Sequence, residues 1–179
     1  MSELRFKIHT SADGFVGKPD GDVDWIFPTM TGDDMSAWEV ALLWETDLHL
    51  MGRVLYEDMA AHWPTSDSVH APPMNEIPKA IFSNTLTAAP WADDNILRGD
   101  LAEEVGKLKA ASDNGVLLHG GASLGRELAT LGLIDEWVLV QHPVVLGEGL
   151  SIFAEQHDLK VTDTRVFSSG VIATTYRPA

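Results

Sequence analysis

Residues 4–10 alternate apolar and polar side chains, the period of a strand. The turn-rich stretch "SADGFVGKPDGDVDW" follows. Met35, Trp38 and Leu42 then recur at i, i+3 and i+7, with Asp33 or Asp34 ahead of them as a cap, which predicts a helix. "DLHLMG" reads as a short strand and "RVLYEDMAAHW" as a helix, while "KAIFS" and "NILRG" read as strands. Asp100 and Glu103 form a D-x-x-E capping pattern that starts a further helix. "GVLLHG" reads as a buried strand. "ASLGRELATLG" puts Leu124, Leu128 and Leu131 on one helical face, and Gly132 supplies a left-handed stop with Leu133 packing back.

Strands and helices alternate up to that point. Beyond it, "DEWVLVQHPVVLG", "LKVTDTRVFSSG" and "VIATTYRP" are strand-like, with no room for helices between them. The pattern predicts an α/β fold whose mixed sheet ends in antiparallel strands. "HWPTSDSVHAPPMNEIP", residues 62–78, carries four prolines and reads as a surface loop. No repeat, low-complexity tract or linker divides the chain, so its 179 residues are expected to form one domain, 1–179.

Composition changes this picture little and charge changes it more. The chain is 45% hydrophobic and 22% charged, as an ordinary globular protein is. No apolar run approaches the roughly 18 residues of a membrane span. The N-terminus lacks the apolar core of a signal peptide, which makes the cytoplasm the expected location. There is no cysteine, which removes disulfides, thiol nucleophiles and thiolate metal ligands. A formal net charge of −15 repels nucleic acid and anionic lipid, so neither is an expected partner.

Candidate chemistry gathers at strand-to-helix turns. "VLLHGGASLGREL" contains G-x-S-x-G from Gly121 to Gly125, the spacing of a nucleophile elbow, with Ser123 between a strand and a helix. Asp135 with His142, or His157 with Asp158, would have to complete a triad, and the downstream antiparallel strands leave little chain for that. The same turn suits an anion. Gly120 and Gly121 leave no Cβ in the way, and the helix start offers free N–H groups. "LHLMGRVLYED" ends a strand in Gly52 and opens a helix with Arg53, adding positive charge. "AIFSNTL" places Ser83, Asn84 and Thr85 after a strand. In an α/β sheet such turns share the crevice at the strands' carboxyl edge. Asp20, Asp22 and Asp24 open like a calcium loop, but Trp25 and Thr31 stand where glycine and glutamate belong, so the stretch is a solvated turn. The seven histidines form no metal-ligand motif, and no metal is expected.

The order "TSADGFVG", "LMGRVLYE", "NEIPKAIFSNTL", "LLHGGASLGRELATLGLIDE", "VQHPVVLGEG" and "VFSSGVIATTY" resembles the bacterial bifunctional deaminase-reductase C-terminal domain family, which shares the dihydrofolate reductase fold. The resemblance covers nearly the whole chain. It implies a three-layer α/β/α arrangement around a mostly parallel eight-stranded sheet with an antiparallel last strand. It also implies an NADPH-dependent reductase, with NADH as a second candidate cofactor, acting as a homodimer on a small-molecule substrate. Gly52 and Arg53 match the turn that holds the cofactor's phosphates, Ser83 the position near the adenosine 2′-phosphate, with Asn84 beside it. Gly120, Gly121, Ala122, Ser123 and Leu124 match the turn under the diphosphate and nicotinamide ribose. Asp13, Gly14 and Phe15 match a D-G-F loop bordering nicotinamide and substrate. Asp13 is thereby the candidate for orienting substrate or relaying a proton, and Phe15, Asp34 and Trp44 the candidates for lining the substrate pocket. There are departures: Leu55 replaces a common threonine, and Asn84 a common basic residue. The position of the dihydrofolate reductase carboxylate falls near Ser36, which argues against reduction of dihydrofolate itself. A serine hydrolase using Ser123, or a nucleotide-binding module without catalysis, stand as alternatives.

Overall fold

The computed structural model describes residues 2–179. Its strands are β1 (Leu4–Thr10), β2 (Leu48–Gly52), β3 (Lys79–Phe82), β4 (Ile96–Leu97), β5 (Val116–His119), β6 (Glu136–Gln141), β7 (Leu159–Val166) and β8 (Ile172–Pro178). Its helices are α1 (Asp33–Trp44), α2 (Arg53–His62), α3 (Ala71–Glu76), α4 (Leu101–Ala111) and α5 (Ala122–Thr130). The strands form one eight-stranded sheet in the order β4-β3-β2-β5-β1-β6-β8-β7. Every pair from β4 to β6 is parallel. β8 runs antiparallel to both β6 and β7, so the expected mixed sheet with an antiparallel last strand is what the chain forms.

Strand alternation sorts the helices onto two faces. Leu4, Phe6 and Ile8 of β1 pack with Val116, Leu118, Val105 and Leu128, which places α4 and α5 on one side. The opposite face carries Leu117, packed with Leu43 of α1 and Met74 of α3, and Met51 and Ile81, packed with Tyr56 of α2. α4 begins as its sequence predicts, with the Asp100 carboxylate accepting from Glu103 N–H at 2.8 Å. α5 ends in a left-handed Gly132 at φ 65°. Gly132 N–H bonds Ala129 O at 2.9 Å and Leu133 N–H bonds Leu128 O at 3.0 Å, the paired bonds of a Schellman stop.

Four expectations are corrected. Residues 62–78 are more than a surface loop: they hold a 3₁₀ turn at Trp63–Thr65 and helix α3, and bury Ala71, Pro73, Met74 and Ile77. Pro64, Pro72 and Pro73 sit in the first turns of these short helices, where a missing N–H costs nothing, and Pro78 lies between α3 and β3. Leu131 lies past the last turn of α5 and is 51% exposed, so the buried stripe of that helix is Leu124 and Leu128. Neither Asp33 nor Asp34 is the cap of α1; the N-cap is Gly32, at φ 99°. Gly125, the last glycine of G-x-S-x-G, answers to packing: a Cβ there would lie 2.5 Å from Phe6 Cε1 and closer still to Cζ.

Phe6 is fully buried and tilted against Trp137, with ring centroids 5.5 Å apart, so it has nowhere to retreat. Gly125→Ala should therefore destabilise the fold by about 1–3 kcal/mol through overpacking. Denaturant unfolding checks it; a midpoint equal to that of the unsubstituted protein would show that the helix–sheet contact is loose.

Candidate cofactor and substrate crevice

Because β3, β2, β5, β1 and β6 run the same way, Phe82, Gly52, His119, Thr10 and Gln141 end at a common edge. The turns after β2 and β5 meet there. A Cβ on Gly52 would stand 3.8 Å from Leu124 Cβ, and one on Gly120 would stand 3.9 Å from Leu55 Cδ2. Gly121 has φ 92°, which glycine adopts freely, and a Cβ placed on it would have no neighbour within 4 Å. Neither α2 nor α5 has a side-chain cap, so both helix starts present their N–H groups toward this space. Ser83 N–H bonds Leu97 O at 3.1 Å, which sets the third turn at the same edge. The Ser83 hydroxyl is buried and accepts from Leu86 N–H at 3.0 Å, while Asn84 is exposed. Arg53 is exposed and bidentate with Glu57, at 2.9 and 3.1 Å.

The sequence reading missed one cation here. Arg98 directly follows β4, and its guanidinium bonds Leu86 O at 2.5 Å, across the Ser83 turn. The clue was available only through pairing: β4 lies beside β3, so its end falls beside Ser83.

The D-G-F loop is built into the edge by its backbone. Ala12 N–H bonds Val144 O at 2.7 Å and Val16 N–H bonds Leu150 O at 2.9 Å. The Asp13 carboxylate accepts from Ser11 Oγ at 2.6 Å, Leu146 N–H at 3.1 Å and Gly147 N–H at 2.7 Å. These donors, the Ser11 hydroxyl foremost, lower its pKa to about 2. Asp13 thus ties two loops together as a fixed anion, and a proton-relaying role at neutral pH does not suit it. Phe15 is half-buried, against the backbone of Gly149.

The other named residues lie elsewhere. The Asp34 carboxylate accepts from Ser168 N–H and Oγ, both at 2.8 Å, and lines an outer groove of about 540 Å³ with Trp38, Glu45 and Arg165. Trp44 ends α1, which runs back from the carboxyl edge toward the start of β2, so it sits at the opposite edge and is not part of the crevice. Among the described residues no hydrolytic triad assembles. Asp135 is held by Leu4 N–H at 2.7 Å and Lys109 at 2.5 Å, at the amino end of β6. His142 is bonded to His9 and Thr29, His157 packs on Trp137 and Phe153, and Ser123 has no histidine partner among the described residues. Nor do the described residues contain a group of three or more His, Cys, Asp or Glu able to hold a metal.

A second set of polar residues went unread. On the sheet face covered by α1, Lys7 lies opposite His119 on β5, and His49 lies opposite Lys79 on β3. The His49 and His119 rings meet edge to face at 4.5 Å. Lys7 reaches Glu39 of α1 at 2.5 Å, and His70 reaches the other Glu39 oxygen at 3.2 Å. Burial alone would raise Glu39, but Lys7 and the His70 hydrogen bond overcome it and hold the carboxylate far below its usual range. Burial lowers His142 to about 4 and, with the nearby Lys79 charge, His49 to about 3. His9 and His119 are lowered for the same reason, with Lys7 adding to the effect.

A mostly parallel sheet between two helical layers, with its glycine turns gathered at one edge, is the architecture of RibD C-terminal reductase-like folds. The chain belongs to that family: the model of the RibD C-terminal domain matches residues 3–173. It is 35% identical over 183 residues to the uncharacterized protein YyaP of Bacillus subtilis, covering 94% of this chain and 91% of that one. It is 27% identical to the riboflavin biosynthesis protein RibD of Corynebacterium ammoniagenes, covering 84% of this chain but 46% of RibD. Among solved structures, a pyrimidine reductase-like protein from Corynebacterium diphtheriae matches with a TM-score of 0.71 at 12% identity, over 99% of this chain and 92% of that one. The Thermotoga maritima diaminohydroxyphosphoribosylaminopyrimidine deaminase/5-amino-6-(5-phosphoribosylamino)uracil reductase matches with a TM-score of 0.69 at 18% identity, over 99% of this chain and 57% of that one.

The buried histidines make the fold acid-labile. Their folded pKa values lie below the 6.5 of an exposed imidazole, so below that pH the unfolded chain binds more protons and stability falls as pH drops. Each such histidine contributes up to about 1.4 kcal/mol per pH unit in the window from about 6.5 down to its folded value. Glu39, whose pKa is depressed, adds its own loss on further acidification through the carboxylate range. Thermal unfolding from pH 7.5 to 4.5 should show this fall, and His49→Gln should flatten it. An unchanged slope in that variant would mean that the His49 pKa is the same in the folded and unfolded chain.

Proposed function

We propose that this chain is an NADPH-dependent reductase, a single domain that passes a hydride to a small polar acceptor with a C=N or C=O group, of the kind found in riboflavin-pathway pyrimidines. Family membership supports the reaction class. The observation that carries the cofactor is the meeting of the α2 and α5 starts, uncapped, with open space above Gly121. That cradle fits an elongated diphosphate. In this reading Gly52 and Arg53 hold phosphate, and Gly120, Gly121, Ala122, Ser123 and Leu124 lie under the diphosphate and nicotinamide ribose. Ser83, Asn84 and Arg98 surround the adenosine 2′-phosphate, with Arg98 supplying the charge that Asn84 lacks. Phe15 and the loop tied by Asp13 border the reacting rings. When bound, the nicotinamide supplies the hydride; the protein's work is placement.

The reading extends to a homodimer. β7 is an edge strand exposed along nearly its whole length, with Val161 53% and Val166 71% exposed, and an edge of that kind calls for a cover. A second copy is the cover proposed, and sedimentation would weigh it.

Titration followed by nicotinamide fluorescence tests the cofactor. Both NADPH and NADH should bind, and Arg98→Ala should weaken NADPH by roughly tenfold or more while sparing NADH, as loss of a charge-assisted contact does. Equal losses for both would remove Arg98 from the 2′-phosphate, and no binding of either would overturn the reading. Incubation with 5-amino-6-(5-phosphoribosylamino)uracil and a panel of carbonyl and imine compounds then tests the acceptor. Binding of NADPH with no compound reduced would favour a nucleotide-binding module.

A further inference from the structure

The polar groups under α1 are a continuous line rather than a set of pairs. Lys7 Nζ lies 3.2 Å from His9 Nε2, His9 Nδ1 lies 2.8 Å from His142 Nε2, and His142 Nδ1 lies 2.6 Å from Thr29 Oγ1. At the other end Lys7 meets Glu39 Oε1 at 2.5 Å, Glu39 Oε2 meets His70 Nε2 at 3.2 Å, and His70 Nδ1 meets Ser68 Oγ at 3.1 Å. We propose that Lys7, His9, His142 and Thr29 form a proton relay that delivers, at the carboxyl edge of β1 and β6, the proton a hydride reduction consumes. The role in reduction rests on the reductase reading above.

The polarity of the line follows from its ends. An ammonium is donor only, so His9 Nε2 beside Lys7 is bare and the His9 proton sits on Nδ1. That proton is given to His142 Nε2, which leaves the His142 proton on Nδ1, facing Thr29. The Thr29 hydroxyl donates to Ile26 O at 3.2 Å, so toward His142 it accepts. Every donor therefore points from Lys7 toward Thr29. The lowered pKa values of His9 and His142 agree with neutral rings, with Glu39 balancing the Lys7 charge.

The line ends in the right place. His142 follows β6 and bonds Thr10 O through its N–H at 2.8 Å, which fixes it at the carboxyl edge. It is fully buried, with Trp25 edge-on at 5.7 Å, while Thr29 is half-exposed. Asp13, on the loop after β1, stays ionised. Addition of hydride to the carbon of C=N or C=O leaves an electron pair on nitrogen or oxygen. That atom takes the Thr29 hydroxyl proton. Thr29 is refilled from His142 Nδ1, His142 Nε2 from His9 Nδ1, and His9 Nε2 from the Lys7 ammonium. Lys7, whose side chain keeps 13% of its surface exposed, is refilled from solvent, with Glu39 remaining its counter-ion. One proton enters and one leaves; both rings are left as Nε2–H tautomers, and each returns to Nδ1–H before the next turnover.

Imidazole ¹⁵N spectra and water-exchange rates of the unliganded protein test this without any acceptor. Both His9 and His142 should be neutral Nδ1–H tautomers at pH 7. Thr29→Val keeps the shape of the side chain and removes the hydroxyl. It should slow exchange of the His142 N–H with water, because it cuts the exit of the relay. A bond with only a structural role predicts the reverse, since losing an acceptor frees the proton. An Nε2–H form of either ring, or exchange that is faster or unchanged in Thr29→Val, would overturn the relay. With a reducible acceptor, Thr29→Val and His142→Gln should slow the reduction step by about 10²-fold with NADPH affinity unchanged. If the unsubstituted protein binds no NADPH, the reductase reading falls and the delivery role falls with it, while the exchange rates still decide whether the line conducts.

Discussion

The ion pair between Lys7 and Glu39 constrains this molecule more than any other contact. The Glu39 side chain is 4% exposed and the Lys7 side chain 13%, so neither is well hydrated. Removing either would strand the other, at a cost of several kcal/mol. α1 must therefore sit over β1 at the height where the two meet, and that height decides much else. It brings His70 to the second Glu39 oxygen, which anchors the 62–78 segment, and it places the turn leading into α1 over His142. A hydrophobic pair of equal volume would pack as well but would fix neither the register of α1 nor the direction of the hydrogen bonds running from it.

The opposite flank of the edge is organised by backbone. A Cβ at Gly52 or Gly120 would come only into ordinary contact with Leu124 or Leu55, while Gly121 holds a backbone angle that few other residues accept. The contrast with α4 is instructive. That helix follows β4 from the same edge of the sheet but satisfies itself with Asp100. The two helices that start in the crevice have no such side chain, and an anion would satisfy their N–H groups in its place.

Much of the fold was legible because its signals are local. Asp100 with Glu103 marked a cap, Gly132 with Leu133 marked a stop, and "VLLH" marked a strand buried on both faces. The crevice turns were legible for the same reason, each being a strand that ends in glycine or serine beside a helix or turn. What was hidden depends on partners distant in sequence. The alternation in "LRFKIHT" is the usual sign of a strand with one face in water, and nothing local says that α1 covers that face. Trp44 fits a pocket wall by residue type, but the direction of α1 carries it to the far edge. Arg98 gains meaning only once β4 is known to lie against β3. Residues 62–78 read as a loop because proline suppresses helix signals, and Met74 shows its role only against Leu43 and Leu117.

The G-x-S-x-G stretch shows why a spacing needs its surroundings before it becomes chemistry. As an elbow it would need a base beside Ser123, and the histidines that could serve are committed elsewhere. Each glycine has another cause: Gly121 a positive φ, Gly125 the ring of Phe6. Ser123 is then a small exposed residue in the first turn of α5, where a hydroxyl can supplement backbone N–H groups toward an anion but has nothing to activate it as a nucleophile. The same test applied to Asp13 gives the same kind of answer. A carboxylate that accepts from two backbone N–H groups and a serine is shaped to stay charged, and its value lies in keeping the loops after β1 and β6 together. Under α1 the environment works the other way: burial disfavours the charged form of His9 and His142 beside a paired lysine, which leaves each ring one donor and one acceptor.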